Sequence, residues 1–233
     1  MLKITPPKHN LPQGFVHIHL GKTAGTSLNV TLTSALGAEA CSPPFVQSFM
    51  DQADASYYNQ FPIIHGHISR LDQLKWFPSR KILTILRDPV QRCFSFLRYV
   101  SALPPSSSKV AADASTMNLL DLMDTPEGRI NLNNAITRQL GGHLLSEEND
   151  YKSLYLAAQK TLIEADWVGW QDDMPRSLDK LSKLVGVKLN PKFENITPRQ
   201  YNEIETRNDV ACKIINFNYW DIKLFNWADK NLR

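Results

Sequence analysis

Short apolar runs alternate with longer amphipathic segments along this chain, and the alternation predicts its elements. Residues 15–20, FVHIHL, form a β-rich run, and apolar side chains then recur at loose helical spacing from residue 28 until Gly37. Residues 81–86, KILTIL, are continuously apolar, as expected of a strand that is covered on both faces. Strands that alternate with helices predict an α/β domain with a central, mostly parallel sheet and helices on both faces.

The rest of the chain continues this order. Residues 61–64 predict a strand that leads into residues 65–67, and residues 166–170 predict a late strand. Asp88 can cap a helix that has Pro89 at its first position and continues to about Tyr99. Further helices are predicted at residues 116–124, 128–140, 151–164, 175–185 and, with an interruption at 216–218, 203–232.

Composition and charge exclude several classes of protein. The chain has 233 residues, with 26 basic and 23 acidic side chains, so its net charge of +3 gives no general case for nucleic-acid binding. No segment approaches the roughly 20 apolar residues of a membrane span, and residues 1–7 lack the apolar core of a signal peptide. Cys41, Cys93 and Cys212 are isolated, which suggests neither a metal site nor disulfides. We expect a cytoplasmic protein, although removal of a membrane anchor would leave the same sequence.

The loop after the first predicted strand has the composition of an anion-binding site. Small residues allow backbone N–H groups to approach an oxyanion, and the start of a helix adds a partial positive charge. A nucleotide-binding P-loop of the form GxxxxGK[ST] would need glycine at position 16, where Val16 stands. The alternative is a turn and helix cap with a solvated lysine. The candidate anion-binding residues are Lys22, Thr23, Ala24, Gly25, Thr26 and Ser27.

A second candidate site follows the strand at 81–86. Arg87 stands at the end of this strand, where α/β sheets place their ligands, and Ser95 lies about two turns into the next helix. A guanidinium fork and a hydroxyl together suit a phosphate monoester. Arg92 can pair with Asp88, four residues before it, in a structural role. For Arg87 alone, the alternative is a surface ion pair.

Histidines supply the candidate general base. His65 and His67 follow a predicted strand, so we expect them at the same sheet edge as the two anion motifs. A neutral imidazole accepts a proton well near pH 7, although a histidine here is also compatible with a core or loop position. His17 and His19 are interpreted as structural residues that could face opposite sides of the first strand.

Both anion motifs resemble those of the sulfotransferases that use 3′-phosphoadenosine 5′-phosphosulfate (PAPS). Residues 19–28, HLGKTAGTSL, are similar to the 5′-phosphosulfate loop HIPKTAGTSL of the carbohydrate, heparan-type and related bacterial branch, with Gly21 in place of proline. Residues 87–95 match the 3′-phosphate motif RDPxxRxxS at every fixed position. The resemblance extends over roughly residues 14–230 and implies a leader at 1–13 and one P-loop-like sulfotransferase domain at 14–233.

The resemblance also implies roles for individual residues. Residues 65–67, HGH, are similar to a segment of the 2-O-sulfotransferases, which implies His67 as the base and His65 as its support. The resemblance further implies that Arg87 and Ser95 bind the 3′-phosphate. Lys22 would stabilise the charge on the leaving group, 3′-phosphoadenosine 5′-phosphate (PAP), without a metal ion.

The acceptor side is less specific. The segment at 131–142 resembles a family segment near the acceptor, in which Asn134 and Arg138 share a helix face; a solvated helix face is the alternative. Residues 195–199 are the candidate segment for closure over the nucleotide. The expected acceptor is a hydroxyl-bearing glycan or small molecule, and the oligomeric state stays open.

Two other functions remain as alternatives. A P-loop kinase or nucleotide hydrolase shares the strand–loop–helix arrangement. A catalytically silent glycan-binding protein would bind glycan without binding PAP.

Overall fold

The computed structural model describes residues 14–46, 52–142, 150–192 and 207–233. Within these residues, five parallel strands form one sheet in the order β2-β3-β1-β4-β5. The strands are β1 (Phe15–Ile18), β2 (Phe45–Val46), β3 (Ile63–His67), β4 (Lys81–Leu86) and β5 (Trp167–Trp170). The predicted α/β architecture is confirmed. The predicted leader at 1–13 lies outside the described residues.

Helices cover both faces of this sheet. Those before the late strand are α1 (Gly25–Leu36), α2 (Gln52–Tyr58), α3 (Arg70–Trp76), α4 (Pro89–Ala102), α5 (Lys109–Thr116), α6 (Leu119–Asp124), α7 (Pro126–Leu132), α8 (Ala135–Gly141) and α9 (Tyr151–Glu164). Those after it are α10 (Met174–Val185), α11 (Asn208–Phe217) and α12 (Tyr219–Leu232).

The alternation of side chains along the strands divides the core between the two faces. Phe15, Ile63 and Leu83 pack against α1 and α10 on one face. Val16 and Ile18, the intervening residues of β1, pack on the other face with α8, α9 and α12. β4 is buried on both sides, as its continuous apolar run predicts. A third cluster joins α4, α6, α7 and α11 beyond the sheet.

Several boundaries differ from the sequence prediction. The predicted helix at 116–124 corresponds to α6, which begins at Leu119 after α5 has ended at Thr116, and that at 128–140 is divided between α7 and α8. Asn118 accepts hydrogen bonds from two backbone N–H groups of α6, and Thr125 caps α7 ahead of Pro126, so each short helix has its own start. The HGH segment does not follow a strand, because His65 and His67 belong to β3 itself.

Two further findings concern the chain as a whole. The three cysteines are free, with Cys41 and Cys93 buried and Cys212 exposed. In the part of the chain that the structure describes, no helix is long and apolar enough to cross a membrane.

Candidate active site

The loop between β1 and α1 is shaped by two residues in the left-handed region. Lys22 has φ 67° and Ala24 has φ 74°, and α1 begins directly after Ala24. Ala24 is the N-cap residue of this helix and has no side-chain oxygen with which to cap it. Ala24 therefore does not occupy the first N–H groups of α1, where the helix dipole favours negative charge.

Gly25, at the first position of α1, is in contact with His19. A Cβ at Gly25 would overlap the His19 imidazole, so the absence of a side chain allows the ring to lie under the start of the helix. At Gly21, by contrast, a Cβ would have no heavy atom within 4 Å, and φ is not positive. The glycine that replaces the family's proline is thus not required by local packing.

Arg87 connects the second motif to this loop. It follows β4, and its Nη1 donates to the Lys22 carbonyl at 3.1 Å. Its Nε is buried without a hydrogen-bond partner among the described residues. The following helix begins as predicted, because the Asp88 carboxylate accepts from Gln91 N at 2.8 Å and Pro89 occupies the first turn.

One face of α4 adds further side chains. Arg92, Ser95 and Arg98 recur at intervals of three residues, which places them along one side of the helix. Arg92 donates to the Asn131 carbonyl at 2.9 Å, and the structure gives it no ion pair with Asp88, so the predicted pairing of those two side chains is not observed. Tyr99 lies under the Lys22 ammonium, with Nζ 3.9 Å from the ring centroid.

Burial next to other cations lowers the pKa of the Lys22 ammonium. Burial, with Arg87 and Arg98 close by, lowers the pKa of Lys22 to about 8. Lys22 is therefore still mainly protonated at pH 7, but its charge is poorly compensated until an anion arrives.

His67 is held in one tautomer by the backbone. Its Nδ1 lies 2.9 Å from the His19 carbonyl oxygen, which can only accept, so Nδ1 carries the proton. In the neutral ring Nε2 is then the atom with a free lone pair. Burial lowers the pKa of His67, although the hydrogen bond to His19 acts in the opposite direction. Near pH 7 the ring is consequently neutral and able to accept a proton at Nε2.

His17, His19 and His65 form a stack next to this base. The His19 ring lies 4.3 Å from that of His67 and 4.9 Å from that of His65, and His17 lies 5.1 Å from His65. The prediction that His17 and His19 could face opposite sides is wrong: residues two apart on a strand share a face, and these rings stack at 5.4 Å. Burial lowers the pKa of all three, to about 4 for His65.

The candidate site is a cavity of about 500 Å³ at the carboxyl edge of the sheet. It brings together Lys22, Arg87, Ser95 and His67 from the sequence prediction, and no carboxylate is among the described residues that line it. Its lining consists of His19, Gly21, Lys22, Ala24, Gly25, Thr26, Ser27, His67, Arg87, Arg92, Ser95, Phe96, Arg98, Tyr99, Asn131 and Gln171.

Some predicted site residues lie outside this lining. Thr23 is fully buried and donates to the Leu20 carbonyl at 2.9 Å, and His65 lies behind His67, with its Nδ1 2.9 Å from that of His17. Asn134 accepts hydrogen bonds from two N–H groups of α12, and Arg138 donates to the carbonyls of Asn133 and Ile130. The structure gives these residues structural contacts, and their predicted functional roles remain predictions. Residues 195–199 lie outside the described residues.

The sequence prediction missed several lining residues. Arg98 and Tyr99 stand three and four residues after Ser95, so helical periodicity on α4 could have found them. Asn131 and Gln171 reach the cavity from α7 and from the turn after β5. Asn131 is the first residue of the segment at 131–142 that the sequence already singled out, whereas no local signal marks Gln171.

Two solved structures are similar to this chain in fold. Mouse sulfotransferase SULT7A1, in complex with PAP, is 14% identical with a TM-score of 0.47, and the alignment covers 89% of this chain and 64% of that one. A sulfotransferase from Alicyclobacillus acidocaldarius is 15% identical with a TM-score of 0.43, covering 91% of this chain and 96% of that one. No family model and no curated protein matches this chain. At these levels of identity and similarity, the two structures show the fold alone.

Proposed function

We propose that this protein is a sulfotransferase that moves a sulfuryl group from PAPS to an acceptor hydroxyl, with His67 as the general base. One observation carries the proposal: an ammonium, a guanidinium and a neutral imidazole from three strand ends line a single cavity. Lys22 follows β1, Arg87 follows β4 and His67 ends β3. Only a folded chain brings these three groups together, since they are dispersed over 66 positions of the sequence.

The lining fits a polyanionic nucleotide. Lys22, Arg87 and Arg92 bring three cationic side chains to the cavity, and the lining that the structure describes contains no carboxylate, so the cavity favours an anion. The buried Nε of Arg87 lacks a hydrogen-bond partner in the part of the chain that the structure describes, and the start of α1, which has no side-chain cap there, suits a second anionic group. The cavity volume also lies within the range of small-molecule sites.

Each side chain then has a chemical role. Arg87 and Ser95 would bind the 3′-phosphate, and the loop at 22–27 with the start of α1 would bind the phosphosulfate. PAPS, when bound, supplies the sulfuryl group and leaves as PAP. His67 Nε2 would take the proton of the acceptor hydroxyl as its oxygen bonds to sulfur. Lys22 would stabilise the negative charge that develops on the departing phosphate oxygen.

The carbohydrate class of the acceptor is proposed from the resemblance of residues 65–67 to the 2-O-sulfotransferases. The lining residues beyond the donor motifs are mainly polar or cationic, among them Arg98, Asn131 and Gln171. These groups can donate hydrogen bonds to a hydroxyl-rich acceptor.

The kinase alternative is less consistent with the structure. A nucleotide P-loop would need glycine at position 16, but Val16 is fully buried inside β1.

Ligand-induced thermal stabilisation and transfer from labelled PAPS test the proposal together. We expect PAP to raise the melting temperature of the wild type, and Lys22→Ala and Arg87→Ala to lose most of that increase. Lys180→Ala, an exposed position on α10, is the control for removal of a charge. His67→Ala should keep the stabilisation by PAP and lose about 100-fold or more in turnover.

Three outcomes would contradict the proposal. Stabilisation by ATP with Mg²⁺ but not by PAP would favour a kinase. Glycan binding without PAP binding would favour the silent protein. Normal turnover by His67→Ala would remove His67 as the base, even if sulfuryl transfer were observed.

A further inference from the structure

Gln139, on α8, is buried beside the base without lining the cavity. Its side chain is 2% exposed. Its Nε2 donates to the carbonyl of Ile68 at 2.7 Å and to the carbonyl of His19 at 3.1 Å. The two carbonyls belong to different chain segments, so one amide group connects them.

These two carbonyls lie where the pairing of the strands ends. The register of β1 with β3 stops at Ile18 and Gly66, followed by a hydrogen bond from His19 N to the Gly66 carbonyl at 3.0 Å. Beyond this point the backbone ladder no longer fixes the two segments relative to each other. Gln139 supplies the connection that the ladder lacks.

The same carbonyls determine the position of His67. The His19 carbonyl accepts the Nδ1 proton of His67 at 2.9 Å, and Ile68 is the residue that follows His67 in the chain. A carbonyl oxygen has two lone pairs, so the His19 oxygen can serve both His67 and Gln139. Gln139 thereby holds the acceptor of the Nδ1 proton and the backbone next to the imidazole.

The structure also holds α8 itself in place. Asp221 accepts hydrogen bonds from the N–H groups of Ile136 and Thr137, at 3.0 Å and 2.7 Å. Thr161 on α9 donates to the Leu140 carbonyl at 2.8 Å. The Gln139 amide therefore extends from a fixed helix, as a group that orients another side chain should.

We propose that Gln139 is a positioning residue for the general base, acting through the His19 and Ile68 carbonyls. Its catalytic consequence rests on the proposed function, whereas its effect on the His67 ring does not. Without the amide donors, the His19 peptide is free to rotate away from His67, and the imidazole loses the contact that fixes its proton on Nδ1.

Gln139→Met tests this, because methionine has nearly the same length and no N–H donor. We expect kcat to fall about 10-fold to 100-fold, with the KM for PAPS and the affinity for PAP changed less than about two-fold. Nitrogen NMR of the imidazoles should show His67 protonated at Nδ1 in the wild type and as a mixture of tautomers in the variant. Thr161→Val is the matched control, since it removes another buried hydrogen bond to the same helix.

The readouts separate this inference from the proposed function. If the wild type transfers no sulfuryl group, the tautomer of His67 in wild type and variant still decides the role of Gln139. If Gln139→Met does not fold, Gln139→Asn, which keeps the amide on a shorter side chain, should show the same changes in weaker form. Wild-type kcat and an unchanged His67 tautomer in the variant would overturn the proposal, as would equal losses of kcat in Thr161→Val.

Discussion

Lys22 shows at the level of one residue how the site prepares for an anion. Its backbone lies in the left-handed region, Arg87 donates a hydrogen bond to its carbonyl, and the Tyr99 ring lies beneath its ammonium. A cation over an aromatic face is stabilised by roughly 0.5–1 kcal/mol at an exposed site and by about 2 kcal/mol or more where it is desolvated. Burial and the nearby Arg87 and Arg98 destabilise the charged form of Lys22 and so lower its pKa. An anion bound next to Lys22 would stabilise the charged form again.

The same site requires glycine at position 25, because His19 lies too close for a side chain there. Gly25→Ala places a methyl group where the His19 imidazole lies, and that ring is packed against His67 and His65. We expect a loss of about 1–3 kcal/mol in the free energy of unfolding, the usual cost of overpacking. Displacement of His19 should also disturb His67, which stacks on it, and so lower turnover. Urea denaturation and transfer assays measure the two effects.

Gly21→Ala is the control for this prediction. A Cβ there meets open space and an ordinary φ, so the substitution should be neutral or stabilise by about 0.4–1 kcal/mol through the unfolded state. Equal destabilisation by the two substitutions would show that contact with His19 does not determine the requirement for glycine in this loop.

At the level of elements, α8 and α12 cap one another. Asn134 precedes α8, and its Oδ1 accepts from Trp220 N at 2.8 Å and Asp221 N at 3.1 Å in α12. Asp221, fully buried in α12, accepts in return from two N–H groups at the start of α8. Each helix therefore supplies the side chain that satisfies the N-terminal donors of the other, which fixes their relative position.

We expect Asn134→Gly to lower the free energy of unfolding by about 1–2 kcal/mol, because two N–H groups of α12, one buried and one half-buried, lose their acceptor. Glycine is chosen because Asn134 has φ 45°, so that alanine would add backbone strain. Asn231→Ala, at an exposed position near the end of α12, should change stability by less than about 0.5 kcal/mol. Urea denaturation measures both.

The affinity of the folded Asn134→Gly protein for PAP should stay unchanged. An undiminished stability together with weaker transfer to the acceptor would instead favour the predicted acceptor role of this residue.

The sequence predicts long elements well and short ones poorly. β4, α4, α9 and α10 have continuous or periodic apolar patterns, and the structure has them within a few residues of the predicted bounds. α2, α3 and β2 were not predicted, since two to seven residues are too few to establish a period. The break before α8 depends on a contact with α12, 85 residues further along the chain, which no local pattern contains.

At the scale of the whole molecule, strand order decides where the site forms. The connection that follows β1 leads to β2, toward one edge of the sheet. The connection that follows β3 passes β1 and leads to β4, toward the other edge. The crevice between the carboxyl ends of β1 and β4 is thus a topological switch point, where α/β proteins bind ligands. The two anion motifs could be found from local sequence. The proximity of Asn131 and Gln171 to these motifs could not be predicted, because strand order and helix packing are set by distant contacts.

The stack of His17, His19, His65 and His67 makes the folded protein sensitive to acid. Burial lowers the pKa of all four below the ordinary value near 6.5, with His65 at about 4. Below pH 6.5 the unfolded chain therefore binds protons that the folded protein does not, and the free energy of unfolding falls as the pH decreases. The two remaining histidines lie outside the described residues.

We expect urea denaturation to show a loss on the order of 5 kcal/mol between pH 7 and pH 5, since each such histidine contributes up to about 1.4 kcal/mol per pH unit. Carboxylates titrate mainly below this window, at about pH 4. His17→Phe keeps an aromatic ring in the stack and removes one titrating group, so its stability should vary less steeply with pH. A flat profile between pH 7 and pH 5 in the wild type would mean that the histidines protonate equally well in the folded protein, and a stack of neutral rings would then be excluded.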